Sequence, residues 1–518
     1  MADRITIDLM DDIKTRVSNL VTEYTRGLKG CYYTDLRLEI DEGQGAVAEN
    51  GDSRECYEDT NLSFGVRVIA GEGIRAPGYF GQVIGMSDTG RIEKIVREGI
   101  DHAYRRAYSN AAGKLRAKET LGRLGESLCD TTLAPIEVHQ DKVSAVFDLD
   151  PREVPLKDII EITKEISKEI SSYDRDVRFN QVMASTMMIR ELFLSSEGAD
   201  IDQSYALTQG LLYVVAQNEE GSQELYDYIG DQRGWEVITK GINAYEKTLR
   251  DFSLDLTGDA LDLIKAELLK STDKEVVIVT DPHYNALIAH EIIGHPMELD
   301  RGLKYETAYA GRSWLLSGLD DHHIGKQIAS DLVTAYSDPS LPGYGHYKYD
   351  DEGTPARRII HIDKGIFKEF MNSRQTAAIL GVEPNGSFKA TDASFVPLIR
   401  MSNTVFAAGD TDTSDIISEV DDGYYLKGHR TPSISESREN FRISAVKVYR
   451  IKNGELGQLF RNGGMTSDSK DYLMNVDAVG NDFKMYPIPN CGKGQPMQTK
   501  RLGNGAPTMR SRARLTGE

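Results

Sequence analysis

The chain is poor in cysteine. Its four thiols, Cys31, Cys56, Cys129 and Cys491, stand far apart in 518 residues, too few and too scattered for the disulfide framework that staples small secreted domains. Each is expected to be a free thiol unless a metal claims it. Long apolar runs are missing too: none approaches the roughly 18 residues that span a bilayer, and the first residues, MADRITIDLMDDIKTR, lack the basic-then-apolar plan of a secretory signal. The expectation is a soluble cytoplasmic protein with no membrane partner. Positive charge is in deficit, 61 Lys and Arg against 81 Asp and Glu for a formal charge of -20, which argues against nucleic acid or an anionic membrane as the main partner. No glycine-rich fingerprint follows a strand-like segment, so nothing points to a bound nucleotide. Neither a short-period repeat nor a low-complexity linker occurs.

What is present is an alternation of helical and strand-like textures in a chain long enough for about two to four domains. Residues 10–27 place apolar side chains at helical spacing and stop at Gly27. From 33 to 86, short runs such as YTDLRLEID, LSFGVRVIA and GYFGQVIG, punctuated by Gly, Asn and Asp, read as strands and turns. Residues 87–124 return to the helical period, with Ser87 or Asp88 as cap. The plan then repeats: KVSAVFDLD as strand, PLKDIIEITKEISKEISSY as a helix with Pro155 near its start, and QVMASTMMIRELFLSS and QSYALTQGLLYVVAQNEE as adjacent antiparallel strands. GSQELYDYIGDQRGWEVI reads as a loop with a short helix. A helix over 243–269 and the strand EVVIVTD follow, and beyond 300 hairpins turn at DKG (363–365) and KNG (452–454). The expected class is α+β: mixed, largely antiparallel sheets with long helices. The expected division is an N-terminal α+β domain at 1–130, a central α+β domain at 131–245 and a C-terminal domain at 246–518.

Chemistry concentrates in ALIAHEIIGHPMELD, residues 286–300. His290 and Glu291 open it like the zinc-peptidase signature H-E-x-x-H, but the second histidine, His295, comes one residue late. On a regular helix, positions four apart lie about 40° from one another and positions five apart about 140°, too far to share a small ion. Asp281 and Pro282 make a good helix start, a capping side chain and then a residue tolerated in the first turn. Near the other end, Gly294 relaxes the backbone, and Pro296 cannot donate to the carbonyl of Ile292 and would clash with it in an α-helix. A one-residue π-bulge would carry His295 into the angular position of a fourth residue. The helix is therefore expected to be wide or broken around 292–296; a regular α-helix through Leu299 would contradict this. The alternative is a polar pair capping a helix end, and spacing alone does not choose between them.

If both imidazoles bind a metal, Glu291 beside them can take a proton from an activated water and pass it to a leaving amine. A catalytic zinc takes about three protein ligands and keeps one position open. Nearby candidates for the third are Glu298 and Asp300; distant ones are Cys491, His346, His361 and His429. Cys491 stands in YPIPNCGKGQPMQ, a Pro- and Gly-rich stretch that reads as a loop, whereas the other cysteines lie in segments that read as ordinary strand or helix, where a small buried hydrophobe is the common role. YDDEGTP at 349–355 reads by default as a solvated loop, with a role near a cavity as the second reading, and MSN at 401–403 as a strand end whose polar groups face that cavity.

Four blocks in succession, IAHEIIGHPMELD, YKYDDEGTPARRIIHIDKG, IRMSNTVFAAGD, and CGKGQP followed by GNGAPTMR, resemble the ordered signatures of the TldD/PmbA family of metallopeptidases over roughly 250–518. The N-terminal half resembles it in general plan only. The resemblance implies that His290, His295 and Cys491 ligate a metal, zinc, and that Glu291 is the catalytic acid/base of a β-rich C-terminal metallopeptidase domain. A thiolate beside two neutral imidazoles lowers the net charge on zinc, which gives Glu291 a larger part as base. The resemblance further implies cleavage of unfolded or short peptides in an enclosed cavity. It also implies a dimer, of two copies or with a homologous subunit that has lost H-E-x-x-x-H. With all four chemical positions intact, the chain resembles the active TldD-type subunit. It departs from the pattern at C-G-K-G-Q, one residue shorter than the family's C-G-K-x-G-Q, which bears on the loop conformation. The second reading is a non-catalytic peptide-binding partner subunit, against which the intact Glu291 speaks.

Overall fold

The computed structural model describes residues 5–121, 130–308 and 311–517; Cys129 and residues 122–124 of the expected helix lie outside them. The first sheet has seven strands: β1 (Cys31–Glu49), β2 (Asp52–Ala70), β3 (Ala76–Val83), β4 (Gln140–Val143), β5 (Val177–Ser195), β6 (Asp200–Gln217) and β7 (Ser222–Asp231). Their order is β3-β2-β1-β5-β6, with β4 and β7 both pairing with β6. All pairings are antiparallel except β4 with β6.

Strands β1, β2 and β5 run 19 residues each, far longer than the short runs expected. Asn50 and Gly51, at φ 50° and 88°, close β1 onto β2 in a two-residue turn. Gly45, read as punctuation, lies inside β1: a Cβ there would come within 2.8 Å of the Tyr57 hydroxyl and 2.9 Å of its ring, so this glycine serves packing and not turning. Two further expectations change. KVSAVFDLD is strand only to Val143, and GSQELYDYIGDQRGWEVI is largely strand β7, whose alternate Gln223, Leu225 and Ile229 are buried, before the helix Glu236–Thr239.

Strand alternation gives the first sheet two different faces. Leu36, Leu38 and Ile40 of β1 point to a core built with the helices Leu9–Asn19 and Ile92–Leu121. The helices Leu156–Tyr173 and Leu249–Lys265 pack on Val182, Ala184, Leu212 and Val214 farther along. Asp35, Arg37 and Glu39 point the other way, toward the C-terminal body. There YDDEGTP is not solvated: Asp350, Glu352 and Thr354 are buried. Arg67 bridges Asp35 and Glu352 at 2.5 and 2.7 Å, and Asp351 pairs with Arg37 at 2.9 Å and Lys389 at 2.7 Å.

The C-terminal body holds an eight-stranded sheet, including Val276–Thr280, Asp422–Ile434, Asn440–Lys452 and Met509–Thr516, and a six-stranded sheet, including Asn403–Phe406, Lys484–Lys493 and Gln498–Ala506. The hairpins at 363–365 and 452–454 form as expected, with Lys364, Gly365, Asn453 and Gly454 at positive φ. Between the sheets runs the segment from Asp281 to Asp300, buried at every residue. Its Ile288, Ile292 and Ile293 share one core with Phe406, Leu502, Leu426 and Phe441. The architecture is α+β with largely antiparallel sheets, as expected. Among the described residues, no helix is long and apolar enough to cross a membrane.

Candidate metal centre

The helix that carries the histidines begins as its residues dictate. Asp281 Oδ1 accepts from Tyr284 N at 2.8 Å, Pro282 fills the first turn, and the α-helix runs Pro282–Ile288. A π-turn follows over Ala289–Gly294, closed by His295 N donating to His290 O, and then a 3-10 turn, His295–Met297. The wide turn is present, beginning at Ala289 instead of 292. A five-residue spacing thus does the work of four, and the two imidazoles meet with ring centroids 4.7 Å apart at 85°. Gly294 is not there to relax the backbone, since φ -55° and ψ -61° are ordinary helical values. It is there because Met401 packs on its Cα: a Cβ would stand 1.8 Å from Met401 Sδ.

Cys491 lies in the strand Lys484–Lys493 and not in a loop, opposite Lys500 of the neighbouring strand, just after a register shift beyond Ile488. The pairing brings Cys491 Sγ to 3.6 Å from His295 Nε2. Donor atoms of His290, His295 and Cys491 all lie within 4.8 Å of one another, the one such cluster of three among the described residues. The other candidates stand elsewhere. Glu298 Oε2 is 3.4 Å from His295 Nδ1, behind the ring; Asp300 accepts from Lys493 Nζ at 2.7 and 2.9 Å. His346 Nδ1 is 2.7 Å from Pro339 O, His361 is held between Ser337 Oγ and Glu369 O, and His429 packs against His283. Cys31 and Cys56 are unpaired thiols.

Outer partners orient both rings. Asn504 donates its amide to Thr404 O at 2.9 Å, which turns Oδ1 toward His290 Nδ1 at 3.1 Å. That nitrogen therefore carries the proton and Nε2 is left as the donor to a metal. Behind His295, Glu298 accepts from Arg301 Nε at 2.5 Å and pairs with Lys493 at 3.1 Å. Burial would lift the Glu298 carboxyl, but Lys493 and Arg301 hold it well below the usual carboxylate range. At Cys491 burial again opposes charge, yet His290, His295 and Arg400 bring the thiol far below its usual value. Burial likewise disfavours a charged His290, but the neighbouring Cys491 thiolate lifts it to about 9. A thiolate and two imidazoles, converging in a buried site with their outer nitrogens engaged, are a donor set that fits a borderline-soft divalent ion.

Glu291 lies beside the cluster, and Arg438 Nη1 is 2.5 Å from its Oε2. Burial would raise this carboxyl; His290, His295 and Arg438 outweigh it and keep it ionised. Sequence reasoning missed Arg438, Asn504 and the two cations, Arg301 and Lys493, that hold Glu298. Asn504 at least stands in the block GNGAPTMR, whereas nothing marks Arg438 within SESREN. Of MSN, the polar Ser402 and Asn403 are buried, Asn403 donating to Leu341 O and accepting from Gly345 N. It is Met401 that walls a cleft with about 670 Å³ of open space between the first sheet and the C-terminal body, shared with Glu39, Glu191, Tyr205, Lys389 and Lys500.

Comparison with known proteins bears on the same residues. The family model described as the PmbA/TldA metallopeptidase C-terminal domain matches residues 273–515, and that described as the PmbA/TldA metallopeptidase central domain matches 149–274. A metalloprotease of Methanothermobacter thermautotrophicus is 30% identical over 63% of this chain and 66% of its own length. One from Methanocaldococcus jannaschii is 26% identical over 93% of this chain and 97% of its own. A zinc metalloprotease TldD homolog of Saccharolobus solfataricus is 25% identical over 80% and 89%. Two solved structures share the fold at 16% identity: a chain described as a modulator of a DNA gyrase from Thermotoga maritima, with a TM-score of 0.70 over 98% of this chain and 100% of that one, and TldE from Thermococcus kodakarensis, with 0.67 over 98% and 99%.

Proposed function

The chain belongs to the PmbA/TldD family of metallopeptidases, its two matched segments together spanning residues 149–515, and from that premise we propose that it is a zinc-dependent peptidase acting on unfolded or short peptides. The observation that carries the reading is the π-turn, which brings His290 and His295 together with Cys491 and leaves Glu291 beside them. Two imidazoles and a thiolate suit zinc, the metal named in the Saccharolobus relative. Zinc held there supplies Lewis acidity to a water and to the substrate carbonyl.

The rest falls to the chain's own residues. Glu291, ionised and held by Arg438, takes the proton of the attacking water and later delivers it to the leaving amine. Asn504 and Glu298 keep the imidazoles in one tautomer and orientation. Burial of the whole segment keeps bulk water away and strengthens each of these interactions. An extended substrate would add to exposed strand edges through main-chain hydrogen bonds, a mode that accepts unfolded chains with little side-chain selectivity. The assembly proposed is a dimer, of two copies or with a homologous subunit; TldE is an example of a protein with this fold.

Elemental analysis of the purified protein beside Cys491→Ala, with cleavage of an unfolded peptide followed in parallel, tests the reading. About one zinc per chain in the parent, much less in the variant, and cleavage lost with it is the expected result. Equal zinc in both would remove Cys491 from the centre, and zinc without any turnover would leave a non-catalytic peptide-binding subunit.

A further inference from the structure

Arg438 is placed with more care than an ion pair to Glu291 requires. Of the seven described non-glycine residues with positive φ, Arg438, at 68°, is the one that is buried, 6% exposed. A left-handed backbone is unfavourable for a residue with a β-carbon and persists where surrounding structure imposes it. Here Arg438 N donates to Ser435 O at 3.0 Å and Ser469 Oγ donates to Arg438 O at 2.7 Å. Arg312 N and Trp314 N donate to Glu436 O and Ser437 O at 3.2 and 3.1 Å. Between those two, Ser313 Oγ donates to Pro296 O at 2.6 Å. The turn is thereby clamped to the residue that follows the second histidine, and its arginine is driven inward.

The guanidinium that arrives there is incompletely used. Nη1 meets Glu291, while Nε is buried without a partner. Buried arginines elsewhere commit more of their donors: Arg374 divides Nε, Nη1 and Nη2 between Ala134 O and the two oxygens of Glu197, and Arg400, whose Nε is also without a partner, still gives both Nη groups to Gln498 O and Cys491 O. Leaving a buried donor unpaired costs more than an ordinary hydrogen bond gains, so an unpaired one beside a catalytic carboxylate points to a partner that arrives with the substrate.

We propose that Arg438 is a substrate-binding group, its guanidinium holding Glu291 with one donor while the remaining donors take the carbonyl oxygen of the peptide bond under attack. The inference rests on the peptidase reading. In the step, a water oxygen bonds to the carbonyl carbon, its proton passes to Glu291, the C–N bond breaks and the proton goes to the departing amine; Arg438 keeps its own protons throughout. A neutral carbonyl gains little from such a donor, but the oxygen of the tetrahedral state carries the charge the guanidinium is set to meet, so the contact favours the transition state over the bound peptide. Lysine could pair with Glu291 as a point charge, but it lacks the planar fork that serves two oxygens together.

The test compares the zinc-loaded parent with Arg438→Gln and Arg438→Lys, using a pool of fluorescence-quenched decapeptides, with zinc per chain measured in each. Removal of an oxyanion donor costs on the order of 10²–10³-fold in kcat, so that loss is expected in Arg438→Gln with KM changed by less than about threefold. Arg438→Lys keeps a charge against Glu291, remains measurable if the glutamine variant is unstable, and should lose about tenfold or more in kcat. A second readout is free of turnover. A phosphinic peptide, tetrahedral at phosphorus, should bind Arg438→Gln far more weakly than the parent, while a cleavable peptide binds Glu291→Gln and Glu291→Gln/Arg438→Gln alike. Unchanged phosphinate affinity, or a loss matched by the uncleaved peptide, would overturn the inference and leave Arg438 a holder of Glu291. If the parent itself cleaves nothing, the peptidase reading fails and takes this one with it; an active parent with unaffected variants refutes this one alone.

Discussion

Alanine at Gly294 would show whether the contact with Met401 sets the geometry of the metal centre. With φ at -55° and ψ at -61°, the position imposes no strain on alanine, and in an open helix the exchange would stabilise by about 1 kcal/mol. The added methyl, however, would stand 1.8 Å from Met401 Sδ, 2.9 Å from its Cγ and 3.1 Å from its Cε. Met401 is itself packed in the core that holds Ile292 and Ile293, and although it borders the cleft shared with Tyr205 and Lys500, it could yield to the methyl only by giving up contacts in that core. Overpacking of this kind costs ~1–3 kcal/mol, which makes the net effect a loss of up to about 2 kcal/mol. The strain falls on the last bond of the π-turn, His295 N to His290 O, and hence on the position of His295. Zinc affinity, measured by competition with a chromophoric chelator, should therefore drop by about tenfold for each 1.4 kcal/mol that reaches the site. Met401→Ala alone opens a cavity and costs ~2–5 kcal/mol, yet the double variant should bind zinc more tightly than Gly294→Ala, with a coupling energy above about 1 kcal/mol. Parent-like zinc affinity in Gly294→Ala, or strict additivity in the cycle, would refute the argument.

Two further outcomes follow from buried charges, one at the start of the same helix and one between the first sheet and the C-terminal body. Burial pushes the Asp281 carboxyl up to about 6 despite the N–H donors of Tyr284 and Gly428. The unfolded value is about 3.9, so the folded state holds the proton more tightly; stability falls as pH rises from about 4 to 6 and is flat above. Because both N–H groups donate to Oδ1, Asp281→Asn keeps the cap and should lack that fall, on the order of 2–3 kcal/mol, in denaturation midpoints at pH 4.5 and 7; parallel profiles would contradict it. Arg67→Met would leave Asp35 and Glu352 buried and unpaired, a loss of about 3–5 kcal/mol, seen as faster hydrogen exchange in β2 and at 349–355; unchanged exchange would refute the bridging role.

The wide turn was legible because its causes are local: a capped start at Asp281, histidines five apart, and Pro296 directly after the second. The reason for Gly294 was not, since Met401 lies more than a hundred residues downstream and leaves no trace in the motif. Cys491 could be named only through the resemblance of whole blocks. What delivers it is a strand pairing with a register shift, and no local pattern encodes register between distant strands. The acidic loop was misread for the same reason. Asp350, Asp351 and Glu352 look like a solvated cluster until Arg37 and Arg67 arrive from the first sheet, Arg67 from 285 residues upstream. Strand length was underestimated because glycine has two uses: Gly51 turns the chain at φ 88°, while Gly45 makes room for Tyr57. One-dimensional spacing does not distinguish them.

The charges that sequence could not pair also change the account of the metal. A thiolate ligand, taken with the histidines alone, lowers the net charge at the centre and so weakens an ion's pull on water. The structure adds the groups behind it. With both imidazoles neutral, as ligation requires, the buried acids are Glu291, Glu298, Asp300 and the Cys491 thiolate, and the buried bases are Arg301, Arg400, Arg438 and Lys493. The two sets balance, and Arg400 in particular stands near enough to favour the thiolate. An ion held by His290, His295 and Cys491 thus meets a shell that is neutral as a whole, and its charge remains available to acidify water despite the sulfur ligand. The same balance explains how so many ionised groups tolerate burial: each acid has a base at hand, and unpaired charges in such a place would cost several kcal/mol apiece. Glu291 then needs no exceptional basicity. What it needs is a fixed direction, which Arg438 supplies.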